Sequence, residues 1–149
     1  MKQLEKFTGT VSQGYVGNIQ YHMELTRPYQ KLQILLTYDK EKCHEPSQKL
    51  LAEMKQAYAE YTPTMDFESQ LPNLLSQMNA ELHLAAFLND EFIGNVHMPG
   101  NKKEMIFSLS EATPGCMLPT SLEGHLKIIV NCFQILCDDT NYILTISGE

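Results

Sequence analysis

The sequence has no tryptophan, no cluster of basic residues and no apolar run long enough for a membrane span or a signal peptide. Its 11 Lys and Arg side chains are spread along the chain against 18 Asp and Glu, which gives a net charge of −7. Phosphate groups are bound by concentrated positive charge, so neither nucleic acid nor an anionic membrane is an expected partner. We expect a cytoplasmic protein.

The four cysteines lack the spacing that metal or disulfide chemistry would show. Cys43, Cys116, Cys132 and Cys137 show neither C-x-x-C spacing nor the density of a disulfide scaffold. Reduced thiols in or near the core are the expectation.

Motifs for covalent and phosphate chemistry are also missing. The chain has no G-x-S-x-G elbow, no G-x-x-x-x-G-K-[ST] loop and no G-x-G-x-x-G loop. Cys116, in a predicted turn, is the best-placed thiol, but no charged residue close to it in sequence would lower its pKa. The acidic pairs Asp90-Glu91 and Asp138-Asp139 are explained by turn formation, although turns can also bind Ca²⁺. The sequence therefore assigns no catalytic, cofactor-binding or metal-ligating residue.

The five histidines do not show the spacing of a metal site. Zinc requires three or four converging ligands, whereas these histidines fall on five different predicted elements: His22, His44, His83, His97 and His125. His22 and Glu24 form the most suggestive pair because they share the polar face of one predicted strand. A solvated sheet face explains this pair more simply.

What the sequence does contain is the hydrophobic alternation of β-strands. Along 19–25 and 82–88, apolar and polar residues alternate with a period of two, which is typical of half-buried strands. The runs bounded by turn signals predict about eight strands at 7–11, 19–25, 32–38, 82–88, 92–96, 103–109, 125–135 and 142–146. The predicted fold is mainly β, a single jelly-roll-like antiparallel β-sandwich over residues 1–149.

The segment 45–78 has a different pattern and predicts a helical insertion within the sandwich. Leu50, Met54, Tyr58 and Tyr61 recur at helical spacing, with Pro46 in the first turn and Pro63 at the end. A second helix follows, and Pro72 favours a start near Ser69. The apolar stripe of the first helix is expected to dock on a sheet, although it is also a possible partner surface. The aromatic residues of the strands are expected to pack in the core; they are Tyr15, Tyr21, Tyr29, Tyr38, Phe87 and Phe107.

Two parts of the chain resemble the β domain that precedes the catalytic domain of some PHP-type metallohydrolases. The first is the strand I-Q-Y-H-M-E-L at 19–25, followed by a proline turn and the strand L-Q-I-L-L-T-Y-D at 32–39. The second is the A-T-P-G turn at 112–115, followed by Gly124, which opens a long strand. Cys116 and His125 depart from the family pattern, which has tyrosine and an aromatic residue there.

The resemblance implies a jelly-roll-like accessory domain that stands alone. The 149 residues contain no counterpart of the metallohydrolase domain, so no catalytic residue is carried over. The leading hypothesis is a non-catalytic binding domain whose partner is another protein or a second copy of the chain. The alternative is a small-molecule- or metal-dependent, hydrolase-like protein whose site is assembled on folding from scattered residues, namely His22, His44, His83, His97 or Cys116. A regulatory subunit of a separate metallohydrolase is a third possibility.

Overall fold

The structure is a computed structural model that describes residues 1–62, 64 and 66–149. Its strands and helices follow in this order: β1 (Lys2–Val11), β2 (Gly17–Leu25), β3 (Lys31–Tyr38), α1 (Gln48–Tyr61), α2 (Phe67–Gln77), β4 (Glu81–Leu88), β5 (Glu91–Val96), β6 (Lys102–Ser108), β7 (Gly124–Gln134) and β8 (Thr140–Gly148). The prediction of a mainly β fold with inserted helices is confirmed.

The eight strands form two antiparallel sheets of four. The first sheet has the order β1-β8-β3-β6 and the second sheet has the order β2-β7-β4-β5. This arrangement of eight strands in two sheets is a jelly roll. Most neighbouring strands within a sheet are distant in sequence, so the connections cross repeatedly from one sheet to the other.

The period-of-two pattern places one face of each sheet in a shared core. In β4, buried Leu82, Leu84, Ala86 and Leu88 alternate with half-buried residues, as the sequence predicted. In β2 the predicted apolar side also faces inward, while Gln20, His22 and Glu24 are exposed. The core between the sheets is continuous, and the second sheet contributes an outer face that is open to solvent.

The connection between β4 and β5 is the tight turn that Asn89-Asp90 predicted. Both residues have positive φ angles, 51° and 66°. These angles match a type I′ hairpin turn, whose twist agrees with that of the two strands. The predicted turn at Asp138-Asp139 is also present, and Asp139 has a φ of 54°.

The two helices lie between β3 and β4, within the predicted insertion 45–78. Two details of that prediction were wrong. Pro46 precedes the helix, because Ser47 is the N-cap and its hydroxyl accepts a hydrogen bond from the Leu50 backbone N–H. The second helix starts at Phe67 instead of near Ser69, because the Asp66 carboxylate caps it by accepting from the Glu68 backbone N–H.

Pro72 therefore lies inside α2, on an exposed position. The end of the first helix predicted at Pro63 lies outside the described residues. Among the described residues, no helix is long and apolar enough to cross a membrane.

The four cysteines are free thiols, and none of them is fully exposed. Cys43 and Cys132 are buried, whereas Cys116 and Cys137 are half-buried. The prediction of unpaired thiols in or near the core is confirmed.

One charged side chain, Lys103, is almost completely buried, with 2% of its surface exposed. Its ammonium group donates a hydrogen bond to the Gly100 carbonyl and lies 5.7 Å from the centroid of the Tyr38 ring. Burial lowers the pKa of Lys103, while the charges of Glu41 and Glu81 act in the opposite direction.

Candidate functional site

The outer face of the second sheet collects most of the chemically versatile side chains of the molecule. Because side chains alternate along a strand, every second residue of β2, β7 and β4 projects away from the core. The outer face of the second sheet carries Asn18, Gln20, His22 and Glu24 on β2, His125, Lys127, Ile129, Asn131 and Phe133 on β7, Glu81, His83, Ala85 and Phe87 on β4, and Phe92 at the start of β5. Three of the five histidines project from this face.

Two of these histidines are brought together by strand pairing. β2 and β7 are antiparallel neighbours in which Glu24 is opposite His125 and His22 is opposite Lys127. Nδ1 of His22 lies 2.8 Å from Nε2 of His125, and Nδ1 of His125 lies 2.8 Å from a Glu24 carboxylate oxygen. His22 and Glu24, which the sequence places on the same polar strand face, are therefore joined through a third residue, His125.

The position of His125 is set by the turn between β4 and β5. The Asn89 side chain accepts a hydrogen bond of 2.8 Å from the His125 backbone N–H and donates one of 2.9 Å to the Glu123 carbonyl. The Asn89 backbone N–H also donates to the His125 carbonyl at 2.8 Å. Gly124 lies between these contacts with a φ of 99°, and a side chain there would overlap the Asn89 amide.

A second group forms around His83 on β4. The Phe133 ring stacks on His83 with 5.4 Å between centroids, and His97 meets His83 edge-on at 6.0 Å. Nε2 of His83 is 3.4 Å from a carboxylate oxygen of Glu81. Phe133 is 58% exposed although it lies on a strand.

A third group is aromatic and lies near the β4–β5 turn. Phe87 and Phe92 meet edge-on with centroids 5.5 Å apart, and the Lys127 ammonium is 4.4 Å from the centroid of the Phe87 ring. Phe92 is 43% exposed. Among the aromatic residues predicted to lie in the core, Tyr38 and Phe107 are buried, but Phe87 is only half-buried and Tyr15 is exposed, so that prediction was wrong for these two.

Four cavities lie beside the helices, and none of them is lined by His22, His83 or His125. The largest of the four, about 600 Å³, is lined by Cys43, His44 and residues of α2. The other three, of about 440, 340 and 280 Å³, adjoin α1. The structure thus leaves His44 apart from the other four histidines.

The helical stripe predicted to dock on the sheet does so only in part. Leu50 is buried and Met54 packs against the core, but Tyr61 at the end of α1 is 80% exposed.

The thiols are poorly suited to nucleophilic chemistry. Burial raises the pKa of Cys116, although a hydrogen bond with the Asn95 backbone partly opposes this. Burial also raises the pKa of Cys132 to about 11. A thiol must ionise to attack, so these environments disfavour a cysteine nucleophile.

In the part of the chain that the structure describes, no group of three or more His, Cys, Asp or Glu side chains is arranged to hold a metal ion. The convergence of His22 and His125 was missed from sequence because it depends on the pairing of two strands about a hundred residues apart. The only local signal was the outward position of each histidine.

Comparison with known families identifies the chain. A model of a family of unknown function, DUF6669, matches residues 1–148, so the protein belongs to this family. No curated protein matches the chain. The family description does not mention metallohydrolases, and the resemblance to their accessory domains stays a prediction.

Proposed function

Membership of a family of unknown function supplies no activity to transfer, so we propose a function from the surface itself: the chain is a non-catalytic protein-binding domain, and the outer face of the second sheet is its contact surface. One observation carries this proposal. Phe133 and Phe92 are apolar aromatic side chains of the kind usually buried in a core, yet they lie on this face with a large part of their surface exposed.

The type and position of these side chains support a protein partner. Aromatic residues are enriched in the cores of protein interfaces and provide much of their binding energy. Phe133 and Phe92 are 58% and 43% exposed and lie in two separate groups of the same face. Each is held by a ring neighbour, His83 or Phe87, so little side-chain freedom would be lost on binding.

The other outer face of the sandwich provides a contrast. The first sheet presents mainly Thr, Ser, Gln, Lys and Glu side chains, together with half-buried Leu35 and Ile106. Its most exposed large apolar residue is Ile143, at 39%. Of the two outer faces, that of the second sheet is thus the one that carries aromatic side chains.

The shape of the face also favours a macromolecule over a small ligand. Small molecules bind in concave sites that bury most of their surface. The four cavities described above lie beside the helices, and of the residues on this face only Phe133 lines one of them. A sheet surface without a deep cavity is suited to a broad partner surface.

The location we propose is the cytosol. The four cysteines are free thiols, and free thiols are typical of reducing compartments. The resemblance to metallohydrolase accessory domains supports a separate metallohydrolase as one class of partner. Co-purification from the native host would identify such an enzyme, and its repeated absence would count against this accessory role.

The binding proposal is tested by photo-cross-linking in the native host. A photoreactive phenylalanine analogue replaces Phe133 in one variant and Ile143 in a matched control on the opposite face. We expect a defined adduct from position 133 only, weakened by Phe92→Ser, and mass spectrometry then shows whether the partner is another protein or a second copy. Equal adducts from both positions, or none from position 133, would refute the proposal.

A hydrolase-like activity is the second candidate, and one observation favours it. The Glu24 carboxylate orients His125, which in turn contacts His22, and an oriented imidazole is what general-base catalysis needs. A panel of phosphoesters and carboxylesters tests this candidate. Hydrolysis that is abolished by His22→Gln would support an enzyme and would contradict the non-catalytic proposal.

A further inference from the structure

The hydrogen bond between His22 and His125 requires a single shared proton. Their nitrogens, Nδ1 and Nε2, are 2.8 Å apart, so one must donate while the other accepts. The Glu24 carboxylate can only accept, and it lies 2.8 Å from Nδ1 of His125. The proton of neutral His125 is therefore on Nδ1, and its Nε2 accepts from Nδ1 of His22.

The other nitrogen of His22 does not fit this arrangement. Nε2 of His22 lies 3.4 Å from the Gln20 side-chain oxygen, which is an acceptor. A neutral His22 that donates from Nδ1 has no proton on Nε2, so two acceptors face each other there. Moving the proton to Nε2 satisfies Gln20 but leaves two lone pairs facing each other between His22 and His125. Both contacts are satisfied by a second proton on His22, by a Gln20 amide turned so that its nitrogen donates, or by a metal ion in place of the shared proton.

We propose that His22 and His125 bind one divalent transition-metal ion, through Nδ1 of His22 and Nε2 of His125, with water completing its coordination. Imidazole nitrogens suit Cu²⁺, Ni²⁺ and Zn²⁺. The two rings project from neighbouring strands into solvent, so an ion reaches them without any opening of the fold. The ion goes beyond the binding function proposed above and does not depend on it.

The separation of the nitrogens indicates which metals fit best. With metal–nitrogen bonds of about 2.0 to 2.1 Å, two ligands at a right angle are about 2.8 to 3.0 Å apart, whereas tetrahedral ligands are about 3.4 Å apart. The observed distance is 2.8 Å. A nitrogen–nitrogen hydrogen bond has about this length too, so the distance shows that the two nitrogens can occupy neighbouring corners of the square plane that Cu²⁺ and Ni²⁺ prefer without moving apart.

Both ligands also have the supporting contacts that metal-bound histidines need. A ligating imidazole usually donates its other N–H to a carboxylate or carbonyl oxygen, which fixes the tautomer. Glu24 is placed to accept from His125, and Gln20 is placed to accept from His22. Glu24 and Gln20 are thus positioning residues, and the two histidines are the ligands.

The experiment is calorimetric titration of Ni²⁺ into the metal-free protein, with circular dichroism to check that each variant is folded. We expect one equivalent to bind, and we expect His22→Gln and His125→Gln each to abolish that binding. His83→Gln is the matched control, since it removes a histidine from the same face, and it should bind like the wild type. Glu24→Ala should weaken binding about tenfold, as supporting residues do, whereas Glu81→Ala should not.

A second measurement identifies the ligands directly. Cu²⁺, which is paramagnetic in a square-planar site, broadens the NMR signals of nearby nuclei, so the ring protons of His22 and His125 should broaden before those of His83 and His97. The proposal is overturned if Ni²⁺ does not bind, if His22→Gln and His125→Gln leave binding unchanged, or if His83→Gln abolishes it equally. Because Met1 and the four thiols are retained in every variant, binding at those groups would survive the histidine substitutions.

Discussion

Replacing Asn89 with alanine removes two side-chain hydrogen bonds and places a residue other than asparagine or glycine at a positive φ. The lost bonds are those to the His125 backbone N–H and the Glu123 carbonyl, at 2.8 and 2.9 Å. Both are exposed, so each contributes about 0.5 to 1 kcal/mol. Alanine at the φ of 51° adds roughly 1 kcal/mol of strain. The free energy of unfolding should therefore fall by about 2 to 3 kcal/mol.

The assay is urea unfolding followed by circular dichroism, together with thermal unfolding. For a domain of this size, the loss corresponds to a Tm lower by roughly 5 to 10 °C. Asn89→Gly is the matched control, because it loses the same two bonds without the strain and should lose about half as much stability. Asn89→Asp retains the acceptor for His125 and tolerates the positive φ, so it should lose only the bond to Glu123, about 0.5 to 1 kcal/mol, and lie between the wild type and Asn89→Gly.

Two results would refute this reasoning. Equal losses in Asn89→Ala and Asn89→Gly would mean that the positive φ carries no strain. Losses below about 0.5 kcal/mol in both would mean that the two hydrogen bonds do not hold the start of β7. His125 would then owe its position to strand pairing alone.

Three further predictions concern the core. Lys103→Met should change the free energy of unfolding by less than about 1 kcal/mol or raise it, whereas Lys103→Ala should lower it by about 2 to 5 kcal/mol. Because burial lowers the pKa of Lys103, the folded protein loses this proton at a lower pH than the unfolded chain does. The wild type should therefore gain stability relative to Lys103→Met as the pH rises through that lowered pKa toward 10.5. A difference in the free energy of unfolding between the two proteins that stays constant with pH, measured by urea unfolding, would contradict this prediction. Gly9→Ala should lower the free energy of unfolding by about 1 to 3 kcal/mol, because its Cβ would overlap the Tyr142 ring. The loss should be smaller when Tyr142 is also replaced by leucine. An equal loss in both backgrounds, measured by thermal unfolding, would count against this contact. Burial raises the pKa of Cys132 to about 11 and also raises the pKa of Cys137, so few molecules carry either thiolate at pH 8. Fast labelling of Cys132 or Cys137 in the folded protein, mapped by mass spectrometry, would contradict this prediction.

Strand positions could be predicted from sequence because the alternation of apolar and polar residues is local. Ile19, Tyr21 and Met23 face inward, as their spacing indicates. The turn at Asn89-Asp90 is equally local, since both residues tolerate positive φ.

The candidate site could not be predicted, because it depends on which strands pair and in what register. His22 and His125 are 103 positions apart, and a shift of one residue in the pairing of β2 with β7 would move His125 away from Glu24. The exposure of Phe133 depends on which strand end remains uncovered. A single sequence predicts that an aromatic residue on a strand is buried in the core, so the surface position of Phe133 is evident only in the folded structure.

The pairing of the first and last strands has a practical consequence for engineering. Lys2 is opposite Gly148, so the two ends of the described chain lie side by side. The first residue of β3, Lys31, forms backbone hydrogen bonds with Glu149, so this end of β3 lies beside the C-terminus. The other end of β3, at Tyr38, leads into the helices. The termini therefore stand at the opposite pole of the sandwich from α1 and α2. A short glycine-rich linker could join the two termini, and the resulting circular permutant could be opened at another loop. If the protein were attached to a solid surface through either terminus, its helices would point away from that surface.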